Sequence, residues 1–204
     1  DLLNIKTMGF RGEALPSIGA VSRLTILSRL HDGSDGAQIE VDAGAKSEVR
    51  PAALSPGTQV EVRDIFYAVP ARLKFLKSER SENNEAIDVM RRIAMANPAL
   101  AFSLTVEGRQ VLNFSSAGLD LDGQLKRVGE VMGQEFARNA LPLDTQREGI
   151  HLSGFAGLPT LNRSQGNMQF LFVNGRPVKD KLLAGAVRGA YMDFLARGRH
   201  PMLA

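Results

Sequence analysis

The feature that most constrains the fold is an alternation of apolar and polar residues in the early part of the chain. It runs through residues 21–28, 38–42 and 58–64, and Asp-Gly or Pro-Gly pairs lie between these segments. Because successive side chains of a strand point to opposite faces of a sheet, a period of two gathers the apolar residues on one face. The segments therefore predict an antiparallel sheet that is covered on one side.

A helical pattern replaces the alternation at residues 81–97. Ser81 is a candidate N-cap, apolar residues recur at helical spacing from Ile87 to Ala94, and Pro98 follows as a stop signal. Two short strands joined by a Glu-Gly-Arg turn at residues 107–109 are predicted next. This region adds a helix and a hairpin to the sheet.

The second half of the chain repeats the mixture of strands and helices. Its predicted elements are a helix at 120–132, strands at 141–143 and 150–158, a polar loop at 162–167, an apolar strand at 168–173, a tight turn at Asn174-Gly175, and a final helix capped by Asp180 and reaching Leu195. The pattern as a whole predicts an α+β fold built from two units.

Composition excludes several kinds of site. The chain has 204 residues, no cysteine, and three widely spaced histidines, so neither a disulfide framework nor a thiolate or histidine metal site is expected. No apolar run approaches the roughly 20 residues that span a bilayer, and no signal peptide is recognisable, which predicts a soluble, intracellular protein without a membrane partner. The missing initiator Met and the abrupt ends predict a piece of a longer protein.

The formal net charge of +3 is unevenly distributed. Residues 1–118 hold 14 basic and 14 acidic side chains, whereas the segment from Arg176 onward holds 6 basic and 2 acidic ones. A basic segment is consistent with contact to a phosphate backbone. A solvated surface without a ligand gives the same composition, so the charge alone leaves both interpretations open.

Residues 9–15 read Gly-Phe-Arg-Gly-Glu-Ala-Leu. Glycines let the backbone approach a ligand closely, the start of the next helix presents free N–H groups, and Arg11 supplies a positive charge. The segment therefore suits phosphate binding, although a plain turn before a helix has the same pattern.

This heptad resembles the signature of the MutL family of DNA mismatch repair proteins, which belongs to the GHKL class of ATPases. Three further stretches resemble motifs of that family in the same order. They are Gly57-Thr58 with Val60-Glu61-Val62, Asp64-Ile65-Phe66-Tyr67 with Pro70-Ala71-Arg72 and Lys74-Phe75-Leu76, and Phe172-Val173-Asn174-Gly175-Arg176. Ala68 and Leu73 depart from the family pattern, which puts local hydrogen bonds in doubt. Four aromatic and apolar residues of the second stretch are expected in the core: Phe66, Tyr67, Phe75 and Leu76.

The resemblance implies a partial GHKL (Bergerat-type) ATPase sandwich followed by a ribosomal S5 domain 2-like transducer domain. The first domain is expected at residues 1–116 and the second, DNA-binding domain at residues 119–204. The family's catalytic Glu-x-x-x-Asn helix and Asp-x-Gly-x-Gly loop precede its heptad motif, so no catalytic residue is expected in this chain. Glu79 and Asn83 have the catalytic spacing but come in the wrong order.

The resemblance also implies the ligands and the residues that bind them. ATP with Mg²⁺ is the implied cofactor, and the implied contacts to the nucleotide come from Gly9, Phe10, Arg11, Gly12, Glu13, Ala14 and Thr58. Thr58 is expected near the adenine, with the heptad wrapping the triphosphate and Glu13 helping to tie it down. Arg176, Lys179 and Lys181 are the implied DNA-binding residues.

The implied function is an ATPase that dimerises on binding ATP and closes around duplex or single-stranded DNA. Its implied partners are a MutS-type mismatch sensor, a second copy of itself, and a downstream nicking enzyme or helicase, in the bacterial cytoplasm near the nucleoid. The fragment alone is expected to be inactive. Two alternatives remain: another GHKL machine, such as a type II topoisomerase or a chaperone, and a non-enzymatic DNA-binding module.

Overall fold

In a computed structural model, the structure describes residues 12–204, which form two compact units. Gly9, Phe10 and Arg11 of the heptad lie outside the described residues. The first unit ends at Ser78 and the second runs from Glu79 to Ala204. This division comes earlier than residues 116–119, where the motifs place a domain boundary, because the helix and hairpin after Ser78 share the core of the second unit. The domain boundary itself stays a prediction.

The first unit contains the antiparallel sheet that the alternation predicts, with two short strands, β3 and β4, beyond the three predicted segments. The strand order is β3-β2-β1-β5, with β4 also pairing with β2, and every pairing is antiparallel. Its elements are α1 (Ala14–Gly19), β1 (Arg23–Arg29), β2 (Gly36–Asp42), β3 (Ala45–Lys46), β4 (Arg50–Ala52), β5 (Gly57–Arg63) and α2 (Pro70–Leu73).

The register of this sheet separates an apolar face from a polar one. Leu24 lies between Val41 and Val62, and every second residue along β1 therefore points to the same face. Helix α1 approaches this face closely, since a Cβ built on Gly19 would lie 3.0 Å from Cγ1 of Val41. Val62, however, is exposed on the edge strand. The described residues thus cover the apolar face only in part.

The motif that follows β5 does not form a core. Phe75 is 83% exposed and Leu76 is exposed as well, so the prediction that both are core residues is wrong. Phe66 and Tyr67 are only partly buried, which corrects the same prediction for them. The physical reason is that no described residue covers the aromatic ring of Phe75, and an apolar side chain without a covering element stays exposed.

The second unit contains four separate pairs of strands together with four helices among its described residues. Its elements are α3 (Glu79–Ala96), β6 (Phe102–Val106), β7 (Arg109–Phe114), α4 (Leu121–Met132), α5 (Gln134–Arg138), β8 (Ala140–Arg147), β9 (Ile150–Gly157), β10 (Asn162–Arg163), a 3-10 turn (Gly166–Met168), β11 (Leu171–Val173), β12 (Arg176–Val178), α6 (Lys181–Ala190) and β13 (His200–Pro201). Within residues 12–204, no helix combines the length and the apolarity required to cross a membrane.

The core of this unit draws on most of these elements. Phe136 of α5 and Met202 are fully buried, and the cluster around them includes residues from α3, β7, α4 and β9. The cluster consists of Ala94, Leu112, Phe114, Val128, Val131, Met132, Phe136, Phe155, Leu161, Phe170 and Met202. Shared burial of apolar surface is what holds α3 and the β6–β7 hairpin to the following elements.

In the second unit, the sequence predicts local structure correctly where a single residue determines the backbone conformation. Asp180 caps α6 by accepting a hydrogen bond from the N–H of Leu183 at 2.9 Å. The turn after β11 has positive φ at both Asn174 and Gly175, as a tight hairpin requires. The two predicted turns and the α+β class are confirmed.

The sequence predicts the ends of helices and strands, and the shortest elements, less accurately. Helix α3 begins at Glu79, so Ser81 lies inside the helix and is not its N-cap. The strand expected at residues 168–173 is shorter, because a 3-10 turn occupies its beginning. Helix α6 ends at Ala190 and does not reach Leu195.

Arg127 is a buried charge at the centre of the second unit. Its side chain is 1% exposed, and its guanidinium donates to the carbonyl oxygens of Ala94, Pro98, Leu100 and Ser115 at 2.7–3.1 Å. Glu130, one turn along α4, supplies the opposite charge at 3.2 Å. A buried guanidinium is stable only with such partners, so Arg127 ties α4 to the end of α3 and to the segment after β7.

Candidate functional site

The described part of the heptad forms a turn that leads into α1. Gly12 has φ +63°, a conformation that favours glycine, and Ala14 begins the helix. The side chain of Glu13 makes no capping hydrogen bond, while its carbonyl oxygen accepts from the N–H of Ser17 at 3.0 Å. The glycine turn before a helix is as expected. Contact of this segment with phosphate stays a prediction.

Thr58 lies on the apolar face of the first sheet, where its hydroxyl meets that of Ser28 at 2.9 Å. Ser28 was not among the predicted site residues. It lies two residues after Ile26 on β1, so the alternation already placed both side chains on the same face of the sheet. Both side chains are exposed. Leu24, where α1 packs, is four residues from Ser28 on β1, or roughly 13 Å at about 3.3 Å per residue. A pair of hydroxyls thus lies at one end of a partly open apolar face.

The opposite face carries a polar network that fixes the loop after β5. Arg23 donates to Asp64 at 2.5 Å, and its guanidinium lies 4.6 Å from the ring centre of Tyr67. The Tyr67 hydroxyl donates to Asp42, and this hydrogen bond raises the pKa of Tyr67 above its ordinary value. Asp64 and Phe66 both have positive φ, so the network holds a strained loop in place.

A cleft of about 780 Å³ opens in the second unit between the middle of α3, the segment around the 3-10 turn, and the start of α6. Four basic side chains line it: Arg91, Arg92, Lys179 and Lys181. Three acidic ones also line it: Glu85, Asp88 and Asp180. The cleft therefore joins charges from distant parts of the sequence.

Asp88 is the centre of an ion-pair network in this cleft. Its Oδ2 accepts from Nε of Arg92 at 2.9 Å and lies 3.3 Å from Nζ of Lys179. The Arg92 guanidinium also lies 5.0 Å from the ring centre of Phe170. Burial by itself would raise the pKa of Asp88, but the hydrogen bonds and charges of Arg92 and Lys179 outweigh it and hold that pKa below its ordinary value.

The structure brings together two of the three residues predicted to bind DNA. Lys179 and Lys181 line the cleft, while Arg176 begins β12 and is not among the described residues that line it. Sequence reasoning missed Asp88, Arg91 and Arg92 of the same cleft, and the only local signal was the pair of adjacent arginines at residues 91–92 on a helix. The contact of Asp88 with Lys179, which follows β12, depends on the tertiary fold.

A metal ion would need several ligating side chains close together. Among residues 12–204, no cluster of three or more His, Asp or Glu side chains is placed to ligate one. The resemblance assigns the Mg²⁺-binding Asn to a helix that precedes the heptad, and that assignment stays a prediction.

Known proteins match both parts of the chain. The family model described as the DNA mismatch repair protein, C-terminal domain, matches residues 128–204. DNA mismatch repair protein MutL of Chelativorans sp. is 53% identical over 204 residues, covering 100% of this chain and 33% of that protein. MutL of Phenylobacterium zucineum is 55% identical over 211 residues, covering 100% of this chain and 34% of that protein. The chain thus spans about a third of the length of these relatives.

A solved structure agrees with the sequence matches. The Aquifex aeolicus MutL ATPase domain complexed with ADP aligns with a TM-score of 0.74 and 33% identity, covering 94% of this chain and 70% of that domain. A second structure of that ATPase domain aligns with a TM-score of 0.69 and 30% identity, covering 96% of this chain and 73% of that domain. The partial GHKL fold followed by an S5-like domain is therefore confirmed. The chain belongs to the MutL family of DNA mismatch repair proteins.

Proposed function

We propose that the protein to which this chain belongs is a DNA mismatch repair ATPase, in which ATP binding and hydrolysis control a clamp on DNA. The observation that carries the proposal is the match of 94% of the chain to a MutL ATPase domain solved with ADP. Mismatch repair is the process named for the relatives of the whole chain. The hydrolytic residues are assigned to other parts of the protein, so this chain supplies binding surfaces.

The nucleotide is proposed to lie against the apolar face of the first sheet. A purine ring is flat and apolar on its faces and polar at its edge, and this face offers the exposed Val60 and Val62 on the same strand as Thr58, whose hydroxyl meets that of Ser28. Gly9 to Ala14 are proposed to wrap the phosphates, with Arg11 as a positive charge. Mg²⁺ would neutralise the phosphates and assist transfer to water.

DNA is proposed to bind at the basic cleft of the second unit. Lys181 is the first residue of α6, where a positive charge is unfavourable because the start of a helix is itself positive, and no acidic residue occupies the first helical turn. The acidic N-cap Asp180 stabilises this helix start, whereas Lys181 is exposed at the cleft, which suits contact with phosphate. Such contact is tolerant of sequence and weakens steeply with salt.

The proposed cycle couples the two surfaces. ATP orders the heptad and drives pairing of two copies, the paired arms enclose DNA, and hydrolysis reverses the change, as in other switches set by a γ-phosphate. The proposed partners are a MutS-type mismatch sensor and a downstream nicking enzyme or helicase, acting in the cytoplasm. Family membership disfavours a topoisomerase or a chaperone, and the remaining alternative is a DNA-binding module without hydrolysis.

The test uses the full-length protein and two separate readouts, ATP turnover and DNA retention over a salt series. Arg11→Ala is expected to lower turnover about tenfold or more, because a charge-assisted phosphate contact is lost. Lys181→Glu is expected to weaken retention and to reduce the slope of its salt dependence by about 1–2. Lys126→Glu, at an exposed position on α4 outside the cleft, is the matched control.

The outcomes separate the two parts of the proposal. Unchanged turnover in Arg11→Ala removes the heptad arginine from the phosphate site. Equal retention in the Lys181 and Lys126 variants removes the cleft from the DNA path. A wild-type protein that retains DNA without any turnover would favour the non-enzymatic module.

A further inference from the structure

The cleft contains a carboxylate, Asp88, that lies between two of its basic side chains. Lys179 reaches Asp88 from the segment between β12 and α6, and Arg92 reaches it from the next turn of α3. Basic side chains form strong, charge-assisted hydrogen bonds with carboxylates and with phosphates, so the same two cations also suit a phosphate group. Asp88 thus occupies, within the protein itself, the position of an anionic ligand.

The two cations hold Asp88 with very different strength. Arg92 is 11% exposed, and two of its nitrogens lie 2.9 and 3.4 Å from the two carboxylate oxygens. Lys179 is 69% exposed and reaches a single oxygen at 3.3 Å. An ion pair that is so exposed is weak and easily screened. Lys179 can therefore leave Asp88, and Arg92 keeps the carboxylate paired when it does.

Arg91 provides a second positive group in the same cleft. Its Nε is buried, and no residue in the described part of the chain accepts a hydrogen bond from it. A buried donor without an acceptor is unfavourable, and a bound anion would supply the missing partner once the Arg91 side chain turns toward the cleft. The cleft thus contains Arg91, whose Nε has no hydrogen-bond partner among the described residues, together with the exposed Lys179.

From this geometry we infer that a phosphate of the DNA backbone enters the cleft, is held by Arg91 and Lys179, and displaces Asp88 as the partner of Lys179. Asp88 is then an internal competitor that limits how tightly the cleft holds DNA. The inference rests on the proposed function, because it assumes that DNA is the ligand of this cleft. It adds Arg91 as a phosphate contact and Asp88 as the residue that sets the affinity.

Asp88 could instead position Lys179 for DNA, and this role predicts the opposite change in DNA affinity when Asp88 is removed. If Asp88 were needed to position Lys179 for DNA, its removal would weaken binding even though the protein becomes more positive. If Asp88 competes with phosphate, its removal strengthens binding. The direction of the change therefore decides between competition and positioning.

The experiment measures equilibrium binding of a fluorescent DNA duplex to the full-length protein over a salt series. Asp88→Asn is expected to tighten binding at low salt about 2–5-fold, the range of a single exposed ion pair. The Asn keeps an oxygen that can accept from Arg92, so α3 is expected to stay folded. Asp193→Asn, an exposed position outside the cleft with the same change in charge, is expected to have a smaller effect.

Two further variants identify the partners. On a Lys179→Met background, Asp88→Asn is expected to give no gain, because the lysine that it releases is absent. Arg91→Gln is expected to weaken binding about 10–150-fold, as for loss of a hydrogen bond to a charged group. Arg80→Gln removes the same charge at an exposed position of α3 outside the cleft and is the control.

Each outcome bears on one claim. Weaker or unchanged binding in Asp88→Asn overturns the competition, as does a full gain on the Lys179→Met background. Equal effects of Arg91→Gln and Arg80→Gln overturn the assignment of Arg91. If the wild-type protein shows no salt-dependent DNA binding, the proposed DNA function fails first, and that result is distinct from the others.

Discussion

The two compact units differ in how they are held together. The second unit has a closed cluster of 11 buried apolar residues. In the described part of the first unit, Leu24 is the one large apolar side chain that is buried. The first unit depends instead on strand pairing and on the Arg23 and Tyr67 network of its polar face. Backbone hydrogen bonds can thus define a sheet whose apolar face is still partly open.

The difference matches the roles proposed for the two units. An open apolar face beside the Ser28 and Thr58 hydroxyls suits a ligand that supplies part of the missing contact surface. A closed core suits a unit that presents a charged cleft at a fixed geometry. Three substitutions test whether this contrast in packing is also a contrast in stability.

The largest effect is expected from Arg127→Met. The variant removes the guanidinium that donates to the carbonyl oxygens of Ala94, Leu100 and Ser115, so the free energy of unfolding should fall by about 5 kcal/mol. Urea titration followed by circular dichroism measures the change, and Lys126→Met at the preceding, exposed position is the control. A loss below that of Phe136→Ala would show that apolar packing, and not this arginine, dominates the second unit.

A slightly smaller loss, about 4 kcal/mol, is expected from Phe136→Ala. The side chain is fully buried, and its removal leaves a cavity in the centre of the cluster. Phe194→Ala is the matched control, because Phe194 is exposed and surface substitutions usually change stability by less than about 0.5 kcal/mol. Similar losses in both variants would contradict the closed core.

The smallest of the three losses is expected from Leu24→Ala, at about 2 kcal/mol. Leu24 is buried, but its neighbour Val62 is exposed, so the surroundings can relax into the space that the leucine leaves. Amide hydrogen exchange of β1 and β5, compared with the same strands in Phe75→Ala, gives the local measurement. If Leu24→Ala cost as much as Phe136→Ala, the contrast between the units would disappear.

Much of the fold follows from short-range patterns in the sequence. The alternation at residues 21–64 predicts the antiparallel sheet, and single residues such as Asp180 and Gly175 predict a cap and a turn, because each depends only on near neighbours. The helix start predicted at Ser81 is wrong, since several positions can begin a helix at similar free energy. The core position predicted for Phe75 is also wrong, since burial depends on what covers a side chain.

For the candidate sites, the sequence by itself determined the family through four ordered motifs. The family in turn marked Thr58, Lys179 and Lys181 as candidate binding residues. Only the tertiary structure decided that Ser28 stands beside Thr58, that Arg127 is buried among carbonyl oxygens, and that Asp88 meets Lys179. The physical reason is that these contacts join residues far apart in the chain. Local propensity and periodicity describe near neighbours, whereas packing of whole elements sets which distant side chains meet.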